Sequence, residues 1–346
     1  MNDKTYVYLL TGFLGAGKTT LLNRIIAFFP SHRKLAILMN EFGEVGIDGA
    51  LVEGEDINML EISRGSIFCV CVKSDFIKGL YELAQKLQPD VLLIESTGVA
   101  NPSDLNRDLK LPIFKGRFEL KEQFCVIDAV HFLDSYGTYT ALEKQISSSS
   151  VFIINKTDLS TSEKIQKIKE IIRQHKPDPK VYETSYCQIP LEDFFPLELI
   201  SEKERDTFTQ LPDLSEEDFD RIVEEALQSQ GGELTPPDPL MSYVYKWNGN
   251  QWENIENLLK ALPKGTLRAK GFFVRQDKLY LASYVMGDWE IRECKEQEGK
   301  GVPVNLLVVV AAPELQVPMD EAAFRNQFDP VGKVIPYERK LKEKGN

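Results

Sequence analysis

The chain has 346 residues, more than the roughly 250–300 at which a single core stops growing, and this favours two domains. A formal net charge of −12 and a pI near 5.0 argue against a general binder of nucleic acid or anionic membranes, since both recruit clustered Lys and Arg. The five cysteines are scattered, and the sequence shows neither a signal-peptide core nor an apolar run near the ~20 residues of a membrane span. We therefore expect a cytoplasmic protein with no nucleic-acid partner and no membrane partner.

Short apolar runs alternate with longer amphipathic stretches over the first 190 residues, a pattern typical of a parallel sheet covered by helices. The near-continuous apolar character of the runs indicates burial on both faces of the sheet. The pattern predicts an α/β fold with a doubly wound, mostly parallel sheet. The predicted strands are 6–10, 35–39, 91–94, 124–127, 151–154 and 180–183, and the predicted helices include 19–29 and 75–87.

The sequence changes in character after residue 190. Residues 215–228 read as an acidic helix that begins with a capping box of Ser215 and Asp218, and residues 231–239, with three prolines and two glycines, read as a linker. Beyond the linker we predict strands at 241–247, 267–274, 279–285 and 305–311 and helices at 251–262 and 319–328. The predicted organisation is an α/β domain at 1–200, an acidic helical segment and linker at 201–239, a smaller C-terminal α+β domain at 240–336 and a charged tail at 337–346.

A glycine-rich segment follows the first predicted strand and precedes the first predicted helix. It reads Gly-Phe-Leu-Gly-Ala-Gly-Lys-Thr-Thr over residues 12–20 and matches the G-x-x-x-x-G-K-[ST] pattern of P-loop NTPases. Glycines let backbone N–H groups approach a phosphate, Lys18 reaches the β- and γ-phosphate oxygens, and Thr19 can ligate Mg²⁺. The predicted nucleotide-binding residues in this loop are Gly12, Gly15, Ala16, Gly17, Lys18, Thr19 and Thr20.

A second motif, Asn155-Lys-Thr-Asp158, follows the predicted strand at 151–154. Asp158 can accept hydrogen bonds from N1–H and the exocyclic amine of guanine, Asn155 can brace the loop, and Lys156 can lay its aliphatic stem along the base. Adenine would leave the carboxylate without donors, so the motif favours GTP over ATP. A polar turn is the alternative for so short a match. Thr184 and Ser185, after the next strand, are candidates for a second base-contacting loop, with an ordinary turn as the alternative.

The strand at 91–94 runs into Glu95 and has the form of a Walker B segment, which holds Mg²⁺ and senses the γ-phosphate. We assign catalytic roles to Lys18, which neutralises phosphate charge, and to Glu95, which holds the metal or orients the attacking water. A strand that merely ends at a solvated Glu is the alternative. Asp48, in the polar and glycine-rich segment 40–49, is a further Mg²⁺ candidate beside Thr19 and Glu95.

These segments together resemble the CobW-like family of P-loop GTPases, which are relatives of the urease and hydrogenase nickel-insertion GTPases. The resemblance implies a metallochaperone that hydrolyses GTP to GDP and phosphate with Mg²⁺ and delivers Zn²⁺, Co²⁺ or a metallocofactor to a client metalloprotein. The matching segments are 11–20, 40–43 with Asp48, 95–98 leading to 101–102, 155–158, and 268–271, which looks like the family's R-A-K-G strand.

The family's C-x-C-C metal motif is altered in this chain. Ser66 stands where the first thiol is expected, and Cys69 and Cys71 remain as C-x-C. Two thiolates do not complete a tetrahedral Zn²⁺ site, so a metal would need Glu44, Glu61, water or a partner protein as further ligands. The alternative is that both cysteines are core residues on a strand and that metal binding has been lost. The three histidines are far apart, and each is predicted to pack or to lie at the surface.

Three functional hypotheses follow. In the first, GTP orders the segment around residues 41–48 and reshapes the adjoining cysteine segment, so that hydrolysis releases a metal or metallocofactor. In the second, the chain is a GTP-dependent assembly chaperone for a cofactor-dependent enzyme and binds no metal itself. The third, a P-loop kinase of small molecules, is weakened because a kinase has no need of the motif at 155–158.

Overall fold

The computed structural model divides into two compact units. The boundary between them lies after the helix that ends at Ser229 and before the strand that begins at Met241. None of the helices that it describes is both long and apolar enough to span a membrane. The structure describes residues 4–30, 33–41, 58–63, 70–96, 105–195, 211, 214–229, 241–248, 252–263, 265–294, 303–311 and 328–334.

The first unit is built on a seven-stranded sheet of order β3-β2-β4-β1-β5-β6-β7. The six strands other than β3 pair in parallel, which confirms the predicted doubly wound α/β fold. Because parallel strands end at the same edge, the polar residues that follow β1, β4, β5 and β6 meet there. The strands are β1 Thr5–Thr11, β2 Leu35–Glu41, β3 Asn58–Ser63, β4 Val91–Glu95, β5 Phe118–Asp128, β6 Val151–Asn155 and β7 Lys180–Glu183.

Helices cover this sheet and close its core. Phe76 and Leu80 of α2 are fully buried beside Phe219 of α7, whose ring lies 5.3 Å from that of Tyr81. Ser215 caps α7 as predicted, since its Oγ accepts from the Asp218 main-chain N–H at 3.1 Å; the Asp218 carboxylate accepts from the same hydroxyl at 2.8 Å. The helices are α1 Lys18–Phe28, α2 Val70–Glu82 with a π-helical turn at Leu83–Leu87, α3 Leu105–Asp108, α4 Phe132–Ser135, α5 Thr140–Ser148, α6 Ser162–His175 and α7 Glu216–Ser229.

The second unit is a six-stranded antiparallel sheet of order β11-β10-β9-β12-β8-β13 with one described helix, α8 Glu253–Ala261. Ile255, Leu258 and Leu259 of α8 are fully buried in one core with aromatic residues of the sheet, including Trp247 and Phe273. This arrangement agrees with the predicted smaller α+β domain. The strands are β8 Met241–Trp247, β9 Thr266–Arg275, β10 Lys278–Val285, β11 Asp288–Glu293, β12 Leu306–Ala311 and β13 Phe328–Val334.

Several elements differ from the sequence-based expectation. β5 begins six residues before its predicted start, because the charged residues of 119–122 pair with β1 and lie at its less buried end. α2 begins at Val70, so the placement of Cys71 on a strand was wrong and this residue lies in a helix. Of the helix predicted at 319–328, residues 319–327 lie outside the described residues, and Phe328 begins a strand instead. β3, β11 and β13 were not predicted.

Candidate nucleotide-binding site

The loop between β1 and α1 turns through three glycines with positive φ: Gly12 at 139°, Gly15 at 74° and Gly17 at 112°. An added Cβ would lie 2.2 Å from the Val126 main-chain oxygen at Gly12 and 2.4 Å from Asn155 Nδ2 at Gly17. L side chains rarely adopt such a backbone, so the loop depends on glycine. The loop leads directly into the amino terminus of α1, where main-chain N–H groups favour anions.

Two polar side chains of α1 lie at this loop. Lys18 is only 8% exposed, and its Nζ donates to the main-chain oxygens of Gly12 at 2.9 Å and Phe13 at 3.2 Å. Thr19 Oγ1 donates to Glu95 Oε1 at 3.4 Å. Thr20, which was also predicted to bind nucleotide, is exposed in the same helical turn. The P-loop threonine and the end of the predicted Walker B strand therefore meet at one edge of the sheet.

Glu95 is buried at the end of β4, between Leu10 of β1 and Met39 of β2 in the strand register. The next residue, Ser96, is fully buried and donates its main-chain N–H to the Leu10 oxygen at 3.0 Å. These neighbours fix the direction of the strand end. The predicted Mg²⁺ residues Thr19 and Glu95 are thus brought together by elements that lie 76 residues apart in sequence.

Asn155 joins the phosphate loop to the predicted base-binding loop, by which we mean the two adjoining segments 155–160 and 184–187. Its Nδ2 donates to the Ala16 main-chain oxygen at 2.9 Å, and its Oδ1 accepts from the Cys187 main-chain N–H at 3.0 Å. Cys187 itself is fully buried, with its Sγ 3.5 Å from the Gly17 oxygen, and burial raises its pKa to about 12. The predicted bracing role of Asn155 therefore has a concrete form, in which one amide ties two loops together.

Asp158 and Ser185 form the outer part of the base-binding loop. Ser185 Oγ donates to Asp158 Oδ1 at 2.5 Å, and the Thr157 main-chain N–H donates to the Thr184 oxygen at 3.2 Å. Asp158 is exposed, so its carboxylate is open to a ligand. The structure therefore places the predicted second loop at 184–185 directly beside the predicted guanine-reading carboxylate.

A further carboxylate, Asp128, was missed by the sequence reasoning. It ends β5, is 5% exposed, and its Oδ2 accepts from Lys156 Nζ at 2.7 Å and lies 3.1 Å from His131 Nδ1. Burial opposes ionisation of Asp128, but the hydrogen bonds with His131 and Lys156, with the positive charge of Lys156, lower its pKa to about 2. The available signal was the position of Asp128 directly after a predicted strand. His131, expected only to pack or lie at the surface, is part of this group.

The predicted transition-metal residues fall mainly outside the described part of the chain. Glu44 and Cys69 lie outside the described residues, as does the Mg²⁺ candidate Asp48, and only the backbone of Cys71 is described. Among the side chains that the structure does describe, no group of three or more His, Cys, Asp or Glu could hold a metal ion. The described residues therefore provide geometry for the predicted nucleotide site and not for the predicted transition-metal site.

Two curated proteins are similar to this chain in sequence. The zinc chaperone YeiR of Escherichia coli is 32% identical over 186 residues, which make up 54% of this chain and 56% of the relative. The zinc-regulated GTPase metalloprotein activator 1 of Dictyostelium discoideum is 25% identical over 313 residues, 78% of this chain and 63% of the relative. The chain thus spans less than two thirds of the length of these curated relatives.

Solved structures and a family profile complete the comparison. The crystal structure of Zn(II)-bound YjiA GTPase from E. coli is 22% identical and is matched over 94% of this chain and 99% of that one, with a TM-score of 0.43. The profile described as CobW/HypB/UreG, nucleotide-binding domain, matches residues 6–183, which is just over half of the chain. The protein whose phosphate loop and base-binding loop are tied together by Asn155 therefore belongs to the CobW/HypB/UreG family.

Proposed function

We propose that the chain binds and hydrolyses GTP with Mg²⁺ and couples its nucleotide state to the delivery of a transition metal or metallocofactor to a client protein. The observation that carries the nucleotide part is the position of Asn155, which bonds the phosphate loop at Ala16 and the base-binding loop at Cys187. One amide thereby fixes the distance between the loop proposed to bind the phosphates and the loop proposed to bind the base. Because both loops bond to the same side chain, neither can shift without the other. Their fixed separation suits a ligand with phosphates at one end and a purine at the other.

The residues at the phosphate end fit a nucleotide and its metal. Side chains at Gly12 or Gly17 would collide with neighbouring groups, as expected for a loop shaped by close backbone approach to phosphate. Thr19 and Glu95 supply the hydroxyl and carboxylate oxygens that Mg²⁺ prefers, and the bound ion would neutralise phosphate charge. Lys18 carries its positive charge within the loop, where it can turn from main-chain oxygens to phosphate oxygens. Glu95 would also orient the attacking water.

The residues at the other end fit guanine. Asp158 can accept from N1–H and the exocyclic amine, and the hydrogen bond from Ser185 holds its carboxylate in one orientation. A pre-oriented acceptor loses less freedom on binding, which favours affinity and selectivity. Xanthine presents an oxygen where guanine presents the amine, so replacing the carboxylate by an amide should reverse the preference.

The substitution Asp158→Asn tests the nucleotide proposal. We expect GTP affinity to fall roughly ten- to a hundredfold and XTP affinity to rise, because hydrogen bonds to a charged group are the strongest discriminators in such sites. Competition of each nucleotide against a fluorescent GDP analogue measures the change. Asp178→Asn, at an exposed position before β7, is the matched control and should behave as the wild type. An unchanged GTP-to-XTP ratio in Asp158→Asn would refute guanine recognition by this carboxylate.

The metal part of the proposal is supported by two relatives, a zinc chaperone and a zinc-regulated GTPase metalloprotein activator, and by the C-x-C segment that precedes and enters α2. Calorimetric titration of Zn²⁺ and Co²⁺, with and without a non-hydrolysable GTP analogue, tests it. We expect affinity that depends on nucleotide and is lost when Cys69→Ser and Cys71→Ser are combined. Metal affinity that depends neither on the nucleotide nor on the two cysteines would overturn the metal part of the proposal and leave the nucleotide part standing.

A second candidate is a GTP-dependent assembly chaperone for a cofactor-dependent enzyme, with no metal bound by the chain itself. The altered motif, in which Ser66 replaces the first thiol, favours it because two thiolates leave a tetrahedral site incomplete. This candidate predicts a protein partner that is captured by the wild type with GTP, but not by Lys18→Ala, and no metal in the purified protein. Stoichiometric zinc in protein purified without chelator would exclude it.

A further inference from the structure

Asp128 is held in place by several donors at the carboxyl end of β5. Oδ1 accepts from the main-chain N–H groups of Val130 at 2.8 Å and His131 at 3.3 Å, while Oδ2 accepts from Lys156 Nζ at 2.7 Å and lies 3.1 Å from His131 Nδ1. Both carboxylate oxygens therefore have partners in the turn at 128–131, and Oδ2 also holds Lys156. The group has little freedom to follow a moving partner, so it can act as a fixed anchor.

The base-binding loop is attached to the same turn on both sides of Lys156. The Ala129 main-chain N–H donates to the Asn155 oxygen at 3.0 Å, and Ser160 Oγ donates to the Ala129 oxygen at 2.7 Å. Lys156 itself has a left-handed backbone, with φ 60° and ψ 36°. A non-glycine residue holds such a conformation only when its surroundings determine it, and here the surroundings are the turn at 128–131.

We infer that Asp128 is a positioning residue for guanine recognition: it anchors the ammonium group of Lys156, so that the aliphatic stem of this lysine is oriented as a wall for the purine before the nucleotide arrives. The inference rests on the proposed GTP site. The gain is one of preorganisation, since a lysine stem that is already immobile loses less rotamer freedom when a base packs against it.

The ion pair differs from the ordinary ion pairs at the surface of this unit. Lys167 and Glu163 are also 2.7 Å apart, but their side chains are 57% and 77% exposed, whereas Asp128 is 5% exposed and Lys156 is 28% exposed. Exposed pairs of this kind contribute little, because water and salt screen them. A buried carboxylate beside a ligand site orients its partner much more strongly. The hydrogen bond from His131 and the charge of Lys156 outweigh burial and keep the pKa of Asp128 near 2, so the anchor is charged at neutral pH.

A double-mutant cycle on nucleotide affinity tests the inference. Asp128→Asn removes the charge of the anchor, and Lys156→Met keeps an aliphatic stem but removes the ammonium group. We expect each single variant to bind a fluorescent GDP analogue roughly tenfold more weakly, the worth of one charge-assisted hydrogen bond. The double variant should bind no more weakly than the weaker single variant, because both changes break the same contact. Asp128→Glu, which retains the carboxylate, should recover part of the loss.

The matched control is Glu163→Gln, which breaks the exposed pair of the same length in α6 and should leave affinity unchanged. Additive losses in the double variant would assign Asp128 a general structural role and overturn the inference, as would wild-type affinity in Asp128→Asn. If Asp128→Asn fails to fold, Lys156→Met decides: a roughly tenfold loss of affinity supports the inference, and wild-type affinity in this variant overturns it. A wild type that binds no guanine nucleotide would instead overturn the proposed function and the inference with it.

Discussion

Gly12, after β1 in the first unit, and Gly271, within β9 of the second, meet the same obstacle. An added Cβ would lie 2.2 Å from a main-chain oxygen at either position, that of Val126 beside Gly12 and that of Leu306 beside Gly271. Gly12 also has φ 139°, whereas Gly271 pairs in regular antiparallel register with Leu307 and Ala282. Close approach alone therefore marks tight strand packing. Close approach together with a positive φ at a strand end marks a turn that requires glycine, as expected for a predicted phosphate loop.

The two sheets explain this difference. In the parallel sheet of the first unit, β1, β4, β5 and β6 end at one edge, so Lys18, Glu95, Asp128 and Asn155 follow or complete neighbouring strands there. In the antiparallel sheet of the second unit, neighbouring strands end at opposite edges. Polar strand ends are then divided between two edges. Strand direction, more than the residue types, decides whether polar residues at the strand ends lie close together.

The substitution with the largest expected effect is Gly12→Ala. The new methyl group would meet a main-chain oxygen that cannot rotate away, and alanine is strained at φ 139°, so the loop must change shape. We expect loss of nucleotide affinity of about a hundredfold or more, since several backbone N–H contacts to phosphate depend on that shape. Equilibrium binding of a fluorescent GDP analogue measures it. Affinity within about threefold of the wild type would contradict the conclusion that Gly12 shapes a nucleotide-binding loop.

Gly271→Ala should act on stability instead. The Cβ would lie 2.2 Å from the Leu306 oxygen and 3.0 Å from Phe273 Cε2, so β9 and β12 must separate or shift. Overpacking of this kind costs about 1–3 kcal/mol, and we expect that loss in the unfolding of the second unit, followed by the fluorescence of its tryptophans. Nucleotide affinity should stay within about twofold of wild type. A large loss of affinity would show that the two glycines do not act on separate units.

The acid stability of the first unit gives a smaller but sharper test. The pKa of Asp128 is lowered from 3.8 to about 2 in the folded chain, so its ionised form stabilises the fold above pH 4, and this contribution is lost as the pH falls toward 2. The expected size is on the order of 2 kcal/mol, from about 1.4 kcal/mol per pKa unit. Urea unfolding of wild type and Asp128→Asn, compared between pH 7 and pH 2.5, measures it. The gap between the two proteins should narrow with falling pH, and a constant gap would contradict the ion pair.

Local patterns predicted most of the first unit. The strands at 151–154 and 180–183 were found within one residue of their observed ends, because buried apolar runs bounded by polar residues leave few alternatives. The P-loop was placed correctly between β1 and α1 for the same reason. β11 was missed because its alternating residues, Asp288 to Glu293, are mostly charged and partly exposed, which resembles a loop in the sequence. β5 was shortened because its first half carries charges that only the neighbouring strand accommodates.

By itself, the sequence determined the presence of a phosphate loop and a parallel sheet and predicted a guanine-reading motif, since each depends on residues close together in the chain. Only the tertiary structure decided which side chains hold those loops in place. Asn155 reaches the Ala16 oxygen across 139 residues, and Lys156 reaches Asp128 across 28. The physical reason is that parallel strands bring distant carboxyl ends to one edge, where a side chain takes the nearest partner in space.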